Sequence, residues 1–158
     1  MDRATLDRFI SQPLAEVPLV QPLFVLPGDS VRRAVSLMRD AGQSCVLTME
    51  GEEVAGIFTE RDVLTKCMEE GFDWERGLMD SGVLTLRPTT IEADRSVAEA
   101  IALMHQNRYR TVPVTRRGKV IGIIRASDIV ADLVEAYPED VMNLPPRPHQ
   151  VMERREGG

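Results

Sequence analysis

Two stretches decide the fold: Val54-Ala55-Gly56-Ile57-Phe58-Thr59-Glu60-Arg61-Asp62 and Val120-Ile121-Gly122-Ile123-Ile124-Arg125-Ala126-Ser127-Asp128. Each reads as a short apolar strand that passes a glycine and runs into the first turn of a helix. They lie 66 positions apart, and the same offset carries outward without a gap. Pro22 falls on Pro88, Ser30 on Ser96, Val31 on Val97, Ala34 on Ala100, Leu37 on Leu103, Met38 on Met104 and Val46 on Val112. Other pairs exchange like for like, such as Val35 with Ile101 and Val63 with Ile129. The matches cluster at apolar and glycine positions, as structural equivalence requires. Two copies are too few for a solenoid, so a pair packed about a pseudo-twofold axis is expected.

Each copy predicts the same order of elements. An extended lead-in (Leu19 to Leu26; Val83 to Ile91) precedes a helix with apolar residues at helical spacing. Those residues are Val31, Ala34, Val35 and Met38 in one copy and Val97, Ala100, Ile101 and Met104 in the other. Ser30 and Ser96 stand as N-caps, and Ser96 with Glu99 forms a capping box. Two strands follow, Ser44 to Met49 with Val54 to Phe58, and Arg110 to Thr115 with Val120 to Ile124. Glu50 to Glu53 and Arg116 to Lys119 form the hairpin turns, and helices over 60–69 and 126–136 close the copies. The expected class is α/β (α+β), with two β-α-β-β-α units. The chain divides into a helical segment over 1–16, unit one over 17–70, a linker over 71–82 with Trp74 at a core edge, unit two over 83–137, and an arm over 138–158. That arm holds Pro138, Pro145, Pro146 and Pro148 and reads as an extended arm or a disordered end.

Composition excludes several classes. No apolar run approaches the ~18 residues of a membrane span. The start carries Asp2, Arg3, Asp7 and Arg8 without an apolar signal core, so secretion is not expected. Cys45 and Cys67 make no C-x-x-C pair, and a reduced, cytoplasmic setting is the default. His105 and His149 have no ligand-spaced neighbours, so no metal is expected, and neither a nucleophile elbow nor a phosphate-binding Gly-rich loop is present. The net charge is -6 with 4% aromatic residues, which argues against wrapping nucleic acid. The charge is unevenly divided. Residues 17–69 carry five bases and eight acids, whereas 83–130 carry eight bases and four acids. Arg116, Arg117 and Lys119 fall in a hairpin turn and read as solvated.

The chemistry points to the strand–helix junctions. Gly56 and Gly122 leave room at the strand exit, Thr59 presents a hydroxyl at a helix start that favours anions, and Asp62 and Asp128 can each accept both hydroxyls of a vicinal diol. Thr-x-x-Asp is equally a plain capping box. The second copy keeps the aspartate but replaces the Thr by Arg125, and this favours a ligand role without deciding it.

The doubled unit, with Gly-h-h-Thr-x-x-Asp closing the strand pair of the first copy, resembles a tandem CBS-domain pair, the Bateman module. Arg110-Thr111-Val112-Pro113-Val114 resembles the family's apolar-Pro-Val strand, and Leu78-Met79-Asp80 its lead-in to the second copy. The likeness covers roughly residues 14–136. It implies an adenosine-type ligand (AMP, ADP, ATP or S-adenosylmethionine) in the cleft between the copies, with Asp62 on the ribose and Thr59 on a phosphate. Arg110 then faces the cleft as a phosphate ligand, with Gly56, Gly122, Arg125 and Asp128 completing the candidate set. The likeness also implies a disc-shaped homodimer. Two positions depart from the family pattern. Arg125 replaces Thr or Ser, which either empties the second site or strengthens its grip on phosphate. Leu47 stands where the second copy has Pro113. The function expected is a cytoplasmic sensor, not an enzyme, that passes its ligand state to a protein partner on another chain. A scaffold with vestigial ligand sites is the alternative.

Overall fold

The computed structural model describes residues 3–136, so the arm expected over 138–158 lies outside the described residues. The elements run α1 (Arg3–Ser11), α2 (Val31–Ala41), β1 (Cys45–Glu50), β2 (Glu53–Thr59), α3 (Glu60–Lys66), β3 (Thr85–Leu86), β4 (Ile91–Glu92), α4 (Val97–Asn107), β5 (Thr111–Arg116), β6 (Lys119–Arg125) and α5 (Ala126–Ala136). They form two three-stranded sheets, β1-β2-β3 and β4-β5-β6.

The repeat is legible atom by atom. The α2 cap Ser30 accepts a hydrogen bond from the Arg33 N–H, and α4 begins with the capping box of Ser96 and Glu99. Both helices bury the expected stripe, Val31, Ala34 and Met38 in α2 and Val97, Ala100 and Met104 in α4. The hairpins share a register slip at equivalent points, between Thr48 and Met49 and between Val114 and Thr115. Each slip bends its hairpin and strengthens the twist. Helix α3 stops at Lys66, short of the expected Glu69. Glu69 and Glu70 would place negative charge against the negative end of the helix dipole.

The two units interlock through their lead-ins. The 19–26 segment first joins unit two, where Val20 and Ile123 exchange backbone hydrogen bonds at 3.0 and 2.9 Å. It then joins unit one, where Leu47 donates to Leu23 at 2.8 Å and Val25 donates to Leu47 at 2.9 Å. The 83–91 stretch behaves in the same way. Rather than one strand of unit two, it splits into β3, antiparallel to β2, and β4, parallel to β5.

The preceding segments are shared out on the same plan. Phe9, Leu14 and Val17 enter the core of unit two with Val97, Val112, Val114 and Ile124. Leu78, Val83 and Leu84 enter the core of unit one with Val31, Val46 and Phe58. Leu78 donates its N–H to the Asp29 carbonyl, and Leu14 donates to that of Arg95. The 71–82 stretch is therefore packed structure: Trp74 lies on the edge of the first core, edge-to-face with Phe72 at 5.1 Å. A third cluster of Cys45, Leu47, Ile57 and Ile123 fills the seam between the sheets. Burial there pushes the Cys45 thiol up to about 12.

One position breaks the agreement between the cores. Thr48 is fully buried and its hydroxyl has no hydrogen-bond partner, whereas its counterpart in unit two is Val114. An unsatisfied buried hydroxyl costs about 1–3 kcal/mol. Thr48→Val is therefore expected to stabilise the fold by about 1 kcal/mol. Urea unfolding at constant slope measures the gain, and an unchanged midpoint would show that the hydroxyl is satisfied.

Candidate functional site

The swap of lead-ins sets the geometry at both junctions. The space beside Gly56 is filled from within the chain, since a Cβ there would meet Leu84 Cδ2 at 2.7 Å and Thr48 Oγ1 at 2.8 Å. At Gly122 the corresponding atom would meet Leu19 Cβ at 2.5 Å. Both glycines are thus required for the close approach of a crossing lead-in. The room expected there for a ligand is taken by Leu84 and Leu19.

At the first junction, Thr59 and Asp62 form a reciprocal capping box. The Thr59 N–H and hydroxyl each donate to Asp62 Oδ2 at 2.8 Å, and the Asp62 N–H donates back to Thr59 Oγ1 at 3.3 Å. Lys66, one turn on, pairs with Asp62 Oδ1 at 2.7 Å and also donates to the Val83 carbonyl at 3.0 Å. Asp62 is buried, with 8% of its surface exposed. The Glu60 N–H is taken by the Ser44 carbonyl. The free helix-start N–H groups expected here are thus partly spent, and an anion must look elsewhere for donors.

Those donors lie across the seam. Thr59 and Asp62 line a cleft of about 680 Å3 that both units build. Its first wall is Ile57, Leu64 and the start of α3, and its second is Arg108, Tyr109, Arg110, Thr111 and Pro113. Pro88 and Thr89 of the second lead-in complete the lining. The volume lies within the ~300–1,000 Å3 of small-molecule sites. The Arg108 and Arg110 side chains have no hydrogen-bond or ion-pair partner among the described residues, so the second wall carries two unpaired cations opposite the acids Glu60 and Asp62. Two contacts tie the walls together. Arg61 Nη1 donates to the Arg108 carbonyl at 3.1 Å, and the Ser44 and Thr111 hydroxyls lie 3.4 Å apart.

Arg108 lies outside the candidate set drawn from the sequence, although the repeat marks its position. Its counterpart Gly42 ends α2 in the left-handed region at φ 62°, and Arg108 ends α4 at φ 57°. A non-glycine residue there costs about 1 kcal/mol. Arg87 and Arg117 share this left-handed backbone, and of the three only Arg108 lines the cleft.

The structure brings Thr59, Asp62 and Arg110 together in this cleft, with Gly56 one residue from Ile57 in its wall. It does not bring Gly122, Arg125 and Asp128 there. At the second junction Arg125 Nε and Nη2 donate to the two oxygens of Asp128, both at 2.7 Å. No group of three or more His, Cys, Asp or Glu among the described residues is placed to hold a metal ion. No helix among them is long and apolar enough to cross a membrane.

Comparison with known proteins agrees with this doubled architecture. The CBS domain profile matches twice, over residues 14–69 and 78–135. The chain belongs to the CBS-domain family. The CBS pair is 32% identical over 103 residues to the uncharacterized protein YlbB of Bacillus subtilis, covering 64% of this chain and 68% of that protein. It is 31% identical over 106 residues to the CBS domain-containing protein CBSCBSPB3 of Arabidopsis thaliana, covering 67% of this chain but 18% of that much longer protein. A solved CBS-domain protein from Burkholderia ambifaria matches with a TM-score of 0.68 and 28% identity, covering 81% of this CBS pair and 95% of that chain. Two solved structures with 16% identity share the fold. One is the protein PAE2072 of Pyrobaculum aerophilum, complexed with AMP, with a TM-score of 0.67 over 78% of this chain and 99% of that one. The other is the CBS domain pair of MJ0100, complexed with 5-methylthioadenosine and S-adenosyl-L-methionine, with a TM-score of 0.68 over 79% and 98%.

Proposed function

We propose that this CBS pair is a non-catalytic sensor that binds an adenosine-type ligand (AMP, ADP, ATP or S-adenosylmethionine) in the cleft between its units and relays that state to a protein partner. The observation that carries the reading is the 680 Å3 cleft shared by both units, with a buried carboxylate on one wall and, on the other, two arginines unpaired among the described residues. Asp62 accepts the ribose hydroxyls, the base packs between Ile57, Tyr109 and Pro113, and Arg108 and Arg110 hold phosphate. The AMP and S-adenosylmethionine complexes of two proteins of the same fold support that chemical class.

A ligand that touches both walls favours one relative orientation of the units, and a partner reads that orientation. The effect is bounded by the ligand's difference in affinity between the orientations. The reading places the chain in the cytoplasm, with both cysteines free and buried.

Ligand that binds only the folded state raises stability by about 2.7 kcal/mol at a hundred times its Kd. Thermal unfolding with added AMP, ATP or S-adenosylmethionine is expected to show this rise for at least one of them. Asp62→Ala removes a capping carboxylate and the partner of Lys66, so it is expected to cost about 1 kcal/mol of stability without ligand. It is also expected to abolish most of the ligand-induced rise. A variant that keeps the full rise removes Asp62 from the site.

The same reading includes a homodimer. Leu64 and Met68 are 70% and 65% exposed, and their repeat counterparts Val130 and Val134 are 60% and 39% exposed. The chain thus presents two related apolar faces after its two hairpins, a surface suited to an isologous contact with a second copy. Leu64→Glu with Val130→Glu is expected to convert a dimer to a monomer in sedimentation equilibrium. An unchanged mass would move the interface elsewhere.

A further inference from the structure

The two junctions meet the same electrostatic demand with opposite parts. Asp62 and Asp128 occupy the same helical position. One turn on from Asp62 stands Lys66, which pairs with it, but one turn on from Asp128 stands Asp132, a like charge. Burial, together with Asp128 and Glu135, holds the Asp132 carboxyl above its ordinary range, and one of its oxygens is buried without a hydrogen-bond partner. The cation missing from that side is supplied from the other. Arg125, at the position of Thr59, folds back and grips both oxygens of Asp128 in a bidentate pair at 2.7 Å. The two side chains are 28% and 21% exposed, so solvent screens the pair less than it screens a surface pair. The guanidinium is held firmly charged, chiefly by that hydrogen bonding.

In the first cleft, by contrast, Arg108 and Arg110 are free of side-chain partners among the described residues. We propose that Arg125 is a built-in occupant of the second junction, closing it to anionic ligands so that the chain takes a single nucleotide, at the first cleft. The proposal rests on the nucleotide reading for the identity of the ligand, but the closure itself is a property of Arg125 and Asp128. Arg125 spends one edge of its guanidinium on both Asp128 oxygens and sets a long cationic side chain where the first copy has the short Thr59. The second junction is therefore held by an internal ion pair. Arg125 decides how many ligands the chain holds.

The test is an AMP titration of the 15N-labelled chain followed by NMR, with the Arg125 Nε–Hε signal observed alongside the backbone amides. Saturation at one equivalent is expected, with shifts at Thr59, Tyr109 and Arg110. The Arg125 Nε–Hε proton should exchange slowly with solvent and stay unmoved. Arg125→Thr, which restores the residue of the first copy, is expected to raise the saturation to two equivalents and to bring shifts at Ala126 to Asp128. Two equivalents in the unaltered chain would overturn the proposal. So would an Arg125 Nε–Hε proton exchanging as fast as that of an exposed arginine, or an Arg125→Thr variant that still takes one. If AMP shifts nothing while the Arg125 proton stays protected, the closed junction stands and the nucleotide reading falls.

Discussion

Arg110→Glu is expected to weaken AMP binding by about a hundredfold or more while leaving the melting temperature of the free chain unchanged. The size follows from losing a charge-assisted contact, worth about 1.5–3 kcal/mol, and from placing a carboxylate against a phosphate. The neutrality toward folding follows from the surroundings of Arg110, an exposed residue whose side chain has no partner among the described residues. Calorimetry of the variant measures the first effect and thermal unfolding the second. Wild-type affinity in Arg110→Glu would mean that phosphate lies elsewhere, with Arg108 the next candidate.

Phe58→Ala is expected to cost about 3–5 kcal/mol of stability, the range for truncating a buried aromatic side chain. Phe58 is fully buried and is the largest side chain buried to that degree among the described residues. It packs with Val31, Val46, Leu78 and Val83, joining α2, β1 and the segment after α3. The loss is a large share of the ~5–15 kcal/mol by which natural domains are stable. It also falls beside the site, because Phe58 precedes Thr59, the cap of α3. Urea unfolding should show the loss, and AMP binding should weaken with it as the first wall slackens. A cost below 1 kcal/mol would contradict the close packing of that core.

The features that were legible in the sequence are local ones. The Ser30 and Ser96 caps, the helical stripes and the hairpins each depend on residues a few positions apart, the 66-residue offset repeats them, and each stands where expected. The exchange of lead-ins was not legible. Neither 71–82 nor the stretch around Leu14 to Val20 carries a helical or alternating period, and their partners are set by tertiary packing alone. For the same reason Gly56 and Gly122 were recognisable as points of close approach, but Leu84 and Leu19 were not recognisable as what approaches. At Thr59 and Asp62 the capping reading and the ligand reading use the same atoms. The structure realises the cap and sets the pair in the wall of a cleft. The contact of Arg125 with Asp128 was within reach, because three residues in a helix bring side chains together and Asp132 repeats the position of Lys66 with the opposite charge.

The charge division acquires a meaning from this arrangement. Four bases of the second unit have distinct settings. Arg108 and Arg110 face the cleft and Arg125 is spent on Asp128, while Lys119 pairs with Glu52 of the first hairpin on the open surface. A surface pair of that kind contributes little. In the proposed reading, Arg108 and Arg110 on one wall of the cleft are the cations that meet the phosphate.

Calorimetric titration of the purified chain with AMP, repeated with ADP, ATP and S-adenosylmethionine, tests the central claim most directly. The account predicts saturable binding of at least one of them at one equivalent per chain. No saturable heat from any of the four at millimolar concentration would contradict it.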